Sequence, residues 1–422
     1  MEMLINSTNE MKHETHGTQQ SRHINKIGEG ARTAQRSDSL VQSINQWFPM
    51  KHLLLVLLLC FVASPVSAQQ QGISIAAKSY MLSDFQSGQI LSSENADERI
   101  EPASLTKLMT AYVVFSAIKQ NRLALDQVVP VSNTAWRMIG SRMFIEPKKP
   151  VTVGELIRGM IVQSGNDACI ALAEAVSGSE AEFTKAMNAE AAHLGMKNTH
   201  FTNTTGLPDP DHYTTAHDLT LLAAAIIREF PEFYSFYSLK EYTYNNITQP
   251  NRNRLLWIDP HVDGMKTGWT KTAGYCLITS ATRDKRRLIS VVIGAKSANA
   301  RSVESQRLLN YGFQFYDTLH LYKKNDALTS IPLWKGAQSE LKAGFDRDVY
   351  FTLLKGQADK LKATMEYKQP LIAPINQGQE VGTVRFTLDD KIVETYPLVA
   401  LEKVDEANFF GRAWDSVKLL LN

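Results

Sequence analysis

The stretch EPASLTKLMTAYVVF, residues 101–115, sets the problem of the whole chain. After Lys107 the side chains Leu108, Met109, Tyr112, Val113 and Phe115 leave almost no polar face, the mark of a helix packed into a core. A lysine is almost never fully buried without a partner. One reading makes this an ordinary helix start, with Pro102 and Ser104 as cap residues and the Lys107 amine reaching out to water. The other makes Ser104 a nucleophile and Lys107 its base, three positions on and so on the same helix face. The spacing S-x-x-K does not choose between them, since Ser116/Lys119 and Ser339/Lys342 share it.

With 422 residues, 44% of them hydrophobic, the chain has material for two or three domains with ample cores. A net charge of +2 gives no electrostatic case for nucleic acid. Residues 1–49 have no aromatic before Trp47 and no apolar periodicity, so this extension is expected to be disordered. Residues 50–68, MKHLLLVLLLCFVASPVSA, have the parts of a secretory signal peptide: a basic start, an apolar run from Leu53 to Val62, Pro65, then small Ser67 and Ala68. The run is too short for a membrane span. A signal normally sits at the chain start, so translation is expected to begin at Met50; the alternative is a genuine extension ahead of an uncleaved anchor. Cleavage after Ala68 removes Cys60 and leaves Cys169 and Cys276. These two are open to two readings, one disulfide or two buried thiols in the apolar contexts DACIAL and GYCLITS. There is no C-x-x-C, so redox and zinc-ribbon readings fail.

Apolar helical runs and strand-like runs mix irregularly from 69 to 321, which predicts an α+β domain. VTVGELIRGMIVQ (151–163) opens with Thr152 and Glu155 in capping-box spacing, and DACIALAEAVSG (167–178) is a second helix closed by Gly178. GYCLITSAT (274–282) and RRLISVVIGA (286–295) read as an antiparallel hairpin turning at Arg283–Asp284–Lys285. From 322 to 405 short strands such as DVYFTLL, KATMEY, GTVRFTL and YPLVALEKV predict a small all-β domain. The last segment, 406–422, contains FFGRAWDSVKLLLN. On a helix, Phe410, Ala413, Trp414, Val417, Leu420 and Leu421 share one face. Fourteen residues reach only about 21 Å at 1.5 Å per residue, short of the roughly 30 Å hydrocarbon core, so the helix is expected to lie in a membrane interface. The competing reading docks it on the β domain.

Two further patterns decide the opening question. Ser164–Gly165–Asn166 lies in VQSGNDAC, between the two helices, and the chain's single K-T-G, Lys266–Thr267–Gly268, lies in VDGMKTGWT just ahead of the hairpin. S-x-x-K at a core-helix start, S-x-N on a loop between helices and K-T-G on a strand, in that order, form the motif set of class A β-lactamases and penicillin-binding proteins. Around them the chain resembles the D-alanyl-D-alanine carboxypeptidases, low-molecular-mass penicillin-binding proteins of the type 5 and 6 kind. PASLTKLMTAYV, VQSGNDAC, NRNRLLW, VDGMKTG, AGYCLITSAT, RRLISVVIGA and the terminal NFFGRAWD all carry the likeness, over some 350 residues from about 72 onward.

The resemblance implies a transpeptidase/β-lactamase-like catalytic domain of antiparallel sheet, helices and a helical subdomain, then a β-rich stalk and a membrane-binding C-terminal helix. It implies that Ser104 attacks the terminal peptide bond of a peptidoglycan pentapeptide stem, and that β-lactam antibiotics acylate the same serine. A hydroxyl needs a base, and Lys107 qualifies once it is neutral, through burial and through a second cation expected to be Lys266. Ser164 is expected to relay a proton to the leaving D-alanine, and Asn166 to hold Lys107 and the substrate amide. Lys266, Thr267 and Arg301, the last in KSANARSVES, are expected to meet the terminal carboxylate, while Gly268 keeps the strand edge open for close backbone approach. The backbone N–H groups of Ser104 and Trp269 are the expected oxyanion donors. No cofactor is implied, and the localisation implied is the periplasmic face of the bacterial inner membrane, peripherally.

Two positions depart from the family. Trp269 stands where histidine is common after K-T-G, and His217, in TTAHDLTLL, replaces a frequent arginine. His193, His200, His212 and His217 are spaced 7, 12 and 5 residues apart, which fits no H-E-x-x-H pattern, so no metal is expected. Two other functions compete. A serine β-lactamase shares all three motifs but needs a deacylating glutamate, and Glu241 with Asn245 comes only 25 residues before Lys266. A non-catalytic peptidoglycan-binding scaffold has no use for an intact Ser104, Lys107, Ser164 and Lys266.

Overall fold

The computed structural model of the chain describes residues 2–4 and 72–421. The expected signal peptide at 50–68 lies outside them, as does most of the extension at 1–49. Within that extension Glu2–Leu4, expected to be disordered, forms a strand antiparallel to Leu361–Tyr367. The pairing partner is otherwise a sheet edge, whose unpaired N–H and C=O groups accept a further strand.

The first domain is built on five strands: β1 (Ser79–Asp84), β2 (Ile90–Glu94), β3 (Val262–Thr270), β4 (Gly274–Arg283) and β5 (Arg286–Ala295). Their order is β2-β1-β5-β4-β3, with every neighbour antiparallel. The β4–β5 hairpin turns through Asp284 and Lys285, both at positive φ (49° and 65°), the geometry of a type I′ turn. The middle strands are apolar on both faces because both are covered. Leu288 and Val292 pack with Leu308 and Leu309 of the long helix Ala298–Phe315. Ile289, Val291 and Ile293, one residue out of phase, pack into the helical cluster on the other side.

That cluster surrounds α1 (Lys107–Lys119), the helix of the opening stretch. It is covered by α3 (Asn166–Ser177), α4 (Glu180–His193) and α5 (Ala216–Glu229), with α2 (Val153–Val162) behind. This enclosure explains why α1 is apolar all round. The capping box forms as expected, the Thr152 hydroxyl accepting from the Glu155 N–H and the Glu155 carboxylate from the Thr152 N–H. Gly178, at φ 77°, closes α3 in the left-handed conformation.

The second domain is all-β, as expected, with its own core around Phe351, Phe386, Leu398 and Ile331. Its first strand is Tyr316–Tyr322, antiparallel to Val349–Leu354. The boundary expected at 322 therefore falls earlier, where the long helix α6 (Ala298–Phe315) passes directly into a strand. The chain ends in α7 (Phe409–Leu421).

A buried carboxylate joins the two domains. Asp84 accepts from Arg286 Nε at 3.0 Å, from the Thr318 hydroxyl at 2.5 Å and from the backbone N–H groups of Gln86 and Ser87. Asp84 and Arg286 belong to the first domain and Thr318 to the second. Asp84→Ala is expected to strand the Arg286 guanidinium, whose side chain is only 12% exposed. Loss of one partner from such a pair costs about 3–5 kcal/mol. Urea unfolding followed by tryptophan fluorescence checks it; an unchanged midpoint would remove Asp84 from this role.

Candidate active site

The opening stretch does not begin as an α-helix. Ala103–Thr106 is a single 3₁₀ turn that runs into α1 at Lys107. In a 3₁₀ turn side chains i and i+3 eclipse, so Lys107 lies directly over Ser104, with Nζ to Oγ at 3.2 Å. The Ser104 side chain makes no capping hydrogen bond, and Lys107 is 1% exposed. Capping by Ser104 and a snorkelling lysine are both excluded.

Two carbonyl oxygens hold the buried amine. Lys107 Nζ donates to Asn166 Oδ1 at 2.8 Å and to the Thr205 carbonyl at 2.5 Å. A neutral amine has two N–H bonds and one lone pair. With both N–H bonds taken by these acceptors, the lone pair is left for the Ser104 hydroxyl. The amine's pKa is lowered to about 8, chiefly by burial, while the Arg252 guanidinium also lowers it and Cys169 and Asp167 oppose the shift.

Opposite stands a second serine–lysine pair. Lys266 Nζ donates to Ser164 Oγ at 3.0 Å and to the Thr267 carbonyl at 2.9 Å. Its pKa lies well below the ordinary lysine value, through burial first and the Lys107 charge second. The repulsion between the two lysines is mutual, and the Arg252 guanidinium adds to it at Lys107, a second cation beside the one expected.

The loop before α3 supplies Ser164, at φ 64°, and Asn166 as the first helical residue. Asn166 Nδ2 donates to the Ile139 carbonyl, which leaves Oδ1 facing Lys107. Asp167 accepts the backbone N–H groups of Met143, Phe144 and Ile145, so the same loop carries the segment from Gly140 that forms one wall. On the strand side, a Cβ on Gly268 would lie 3.2 Å from Ala103 Cβ, Leu105 Cγ and the Pro102 carbonyl. The glycine lets β3 pack against the Ser104 turn itself.

Of these groups Ser104, Ser164, Asn166, Thr205 and Gly268 line one cleft of about 740 Å³, together with Thr267, Trp269, Tyr275, Arg252 and Arg301, while Lys107 and Lys266 are buried behind their serines and are not among its lining residues. Arg301 is buried against β3, donating Nη1–H to the Gly268 carbonyl at 3.2 Å. Glu304, its neighbour on the helix, pairs with Arg307 instead. Trp269 is 56% exposed at the rim, its ring 5.9 Å from Tyr275. His217 is not among the cleft residues and faces Asp97 at 3.4 Å. Cys169 and Cys276 are buried free thiols, which settles the two readings left open. Among the described residues no group of His, Cys, Asp and Glu could hold a metal ion.

Comparison with known proteins follows the same lines. Residues 64–297 match the D-alanyl-D-alanine carboxypeptidase family, and residues 316–406 match the C-terminal domain of penicillin-binding protein 5. The D-alanyl-D-alanine carboxypeptidase DacC of Escherichia coli (strain K12) is 44% identical over 372 residues, 86% of this chain and 93% of that protein. DacA of the same strain is 43% identical over 356 residues, 82% of this chain and 88% of its own. The crystal structure of penicillin binding protein 5 from Haemophilus influenzae aligns with a TM-score of 0.77 at 41% identity, covering 80% of this chain and 99% of that one. The chain belongs to the D-alanyl-D-alanine carboxypeptidase family, in its penicillin-binding protein 5 and 6 type.

Several residues of this carboxypeptidase site escaped sequence reasoning. Arg252 stands in NRNRLLW, a stretch that carries the family likeness but gives this arginine no role, and Thr205 contributes only its carbonyl, which any residue has. Gly206 was discoverable in principle as a turn residue in TTGLP. It sits at φ +83°, and a Cβ there would lie 1.7 Å from the Ala103 carbonyl oxygen.

The lysine assignment predicts a pH profile. The rate of acylation should rise about tenfold per pH unit up to about 8 and level off above it, as Lys107 deprotonates. Arg252→Ala removes a positive charge that disfavours the ammonium form, so the limb should move to higher pH. A limb that stays in place or moves to lower pH in that variant would contradict the electrostatic account.

Proposed function

We propose that this chain is a serine-type carboxypeptidase that removes the terminal D-alanine from peptidoglycan pentapeptide stems through an acyl-enzyme. The observation that carries the reading is the Lys107 amine, buried with two carbonyl acceptors and its remaining position on the Ser104 hydroxyl. Ser104 Oγ attacks the carbonyl carbon of the terminal peptide bond, and its proton passes to Lys107. The oxyanion rests on the backbone N–H groups of Ser104 and Trp269. The tetrahedral centre then collapses, the C–N bond breaks, and Ser164 relays to the departing amine the proton that Lys107 took from Ser104, which returns both Lys107 and Ser164 to their starting states. Water next hydrolyses the ester.

The substrate's free carboxylate belongs beside Lys266, Thr267 and Arg301, with Arg252 adding charge at that end of the cleft. A carboxylate arriving beside Lys266 favours its ammonium form. That charge in turn favours a neutral Lys107, so binding would prepare the base.

The β-lactamase alternative loses on the cleft lining. Among the described lining residues none is Asp or Glu, and Glu241 lies on an exposed hairpin strand. With no carboxylate to activate a water, β-lactam acylation of Ser104 should be long-lived. Intact-protein mass spectrometry should show a stable benzylpenicillin adduct that Ser104→Ala lacks, and that variant should release no D-alanine from a D-Ala-D-Ala peptide. Fast penicillin turnover with no adduct would overturn the assignment in favour of a β-lactamase.

We also propose that the mature protein is exported, by way of the 50–68 segment, and rests peripherally on the periplasmic face of the inner membrane through α7. Its apolar side chains face solvent, with Phe410 81% and Leu420 87% exposed. Its polar side faces the β domain, where Asp415 accepts from the Lys335 N–H at 2.7 Å. Among the described residues no helix is long and apolar enough to cross a membrane. Each large side chain buried in an interface contributes roughly 1.5–3 kcal/mol at most, before ordering costs. Binding should therefore be reversible. Deleting 408–422 should abolish co-sedimentation with anionic vesicles yet leave hydrolysis of a soluble peptide unchanged; co-sedimentation of the truncated chain would place the anchor elsewhere.

A further inference from the structure

One wall of the cleft is the loop 202–207, and it grips α1 at two points. The Thr110 hydroxyl donates to the Thr204 carbonyl at 2.7 Å, and Lys107 Nζ to the Thr205 carbonyl at 2.5 Å. Within the loop, Asn203 Oδ1 gathers the N–H groups of Thr205, Gly206 and Leu207. Between this loop and the 3₁₀ turn lies the His212 imidazole, 2% exposed, with Phe201 edge-on at 5.7 Å.

The hydrogen bonds of that ring assign its tautomer. The Thr202 backbone N–H can only donate, so Nδ1, 3.0 Å away, accepts and carries no proton. Nε2 of a neutral ring is then the protonated nitrogen and donates to Thr106 Oγ1 at 2.8 Å. Thr106 sits between Ser104 and Lys107 in sequence. We propose that His212 is a positioning residue for the cleft, a neutral strut that fixes the turn bearing Ser104 against the loop whose Thr205 carbonyl holds Lys107. The proposal rests on the reading of Ser104 and Lys107 as nucleophile and base.

Three observations support it. The ring is planar, so its two nitrogens keep a constant separation and transmit the position of Thr202 to Thr106. The contact has no slack, since a Cβ on Gly206 would meet Ala103 O at 1.7 Å and Thr106 Oγ1 at 2.9 Å. A protonated ring would set an Nδ1–H against the Thr202 N–H, donor against donor. Burial, aided by His200 and Lys107 and opposed by Asp209, holds the imidazole pKa down to about 4, so the ring stays neutral around pH 7.

The test uses the full chain with benzylpenicillin as acylating probe and a D-Ala-D-Ala peptide as substrate. His212→Leu keeps bulk but neither hydrogen bond. It should slow acylation and lower kcat about tenfold, with KM nearly unchanged, because the ring touches no substrate. His212→Gln offers an acceptor and a donor, and should recover to within about threefold of wild type. Thr106→Val cuts the same bond from its other end and carries the test if His212→Leu fails to fold; where both fold, the double variant should be no slower than His212→Leu alone. A folded Leu or Val variant that acylates at the wild-type rate, even with a lowered Tm, would show the ring to be mere packing and overturn the proposal. So would a Gln variant as slow as the Leu variant. Wild-type protein that takes up no penicillin would sink the reading of the cleft, and this inference with it, whereas normal wild-type acylation beside an unaffected variant sinks the inference alone.

Discussion

A primary amine buried inside a protein has to be either paired with a charge or held by acceptors and inclined to lose its proton. The site around Lys107 takes the second course. Asn166 Oδ1 and the Thr205 carbonyl occupy two of its positions and Ser104 the third, with no carboxylate in hydrogen-bond contact. The neighbourhood of that amine shapes the rest of the helical cluster. α1 must be covered on every side to keep water out, α3 must begin at Asn166 to present its side-chain oxygen, and the 202–207 loop must bring a bare carbonyl to within 2.5 Å.

Holding such an arrangement requires backbone that a relaxed chain would avoid. Ala103 and Ser164 both lie at positive φ, on the two sides of the Ser104–Lys107 pair, and neither is glycine. A residue in such a conformation costs of order 1–3 kcal/mol and persists where its surroundings leave it no alternative. Here the surroundings are Gly206 pressed on the Ala103 carbonyl, Gly268 pressed on the Pro102–Leu105 turn, and the Asp167 carboxylate gathering three backbone N–H groups from the opposite wall. Strain and close approach lie at the same few residues.

Away from the cleft, the architecture concerns placement. The Asp84 network binds the first domain to the first strand of the second, so the β domain is continuous with the sheet's supporting helix rather than tethered by a slack linker. At the far end, α7 turns a polar side to the β domain and leaves its aromatic and leucine side chains in solvent. Exposed Phe410, Trp414, Leu420 and Leu421 on one short helix have a physical rationale at an apolar interface.

Much of this was legible in the residues themselves because its signals are local. The order S-x-x-K, S-x-N, K-T-G, the capping box at Thr152–Glu155, the closing Gly178 and the β4–β5 hairpin all express a preference decided within a few positions. So did the all-β character of the second domain, although a helix that runs straight into a strand at Tyr316 leaves no turn signal to mark its start. The sequence could not say that Ser104 sits in a 3₁₀ turn, since Pro102 and a following apolar run suit either helix type. It could not identify Arg252 as a further cation that lowers the Lys107 pKa, because charge acts through space and the residue lies over a hundred positions away. It could not find Thr205 or His212, because a carbonyl has no residue type and a histidine shows its role only through the atoms on either side of it. Residue order alone determined which chemistry this chain can carry; the tertiary structure decided which groups are buried beside which, and burial and distance set the charge on an amine.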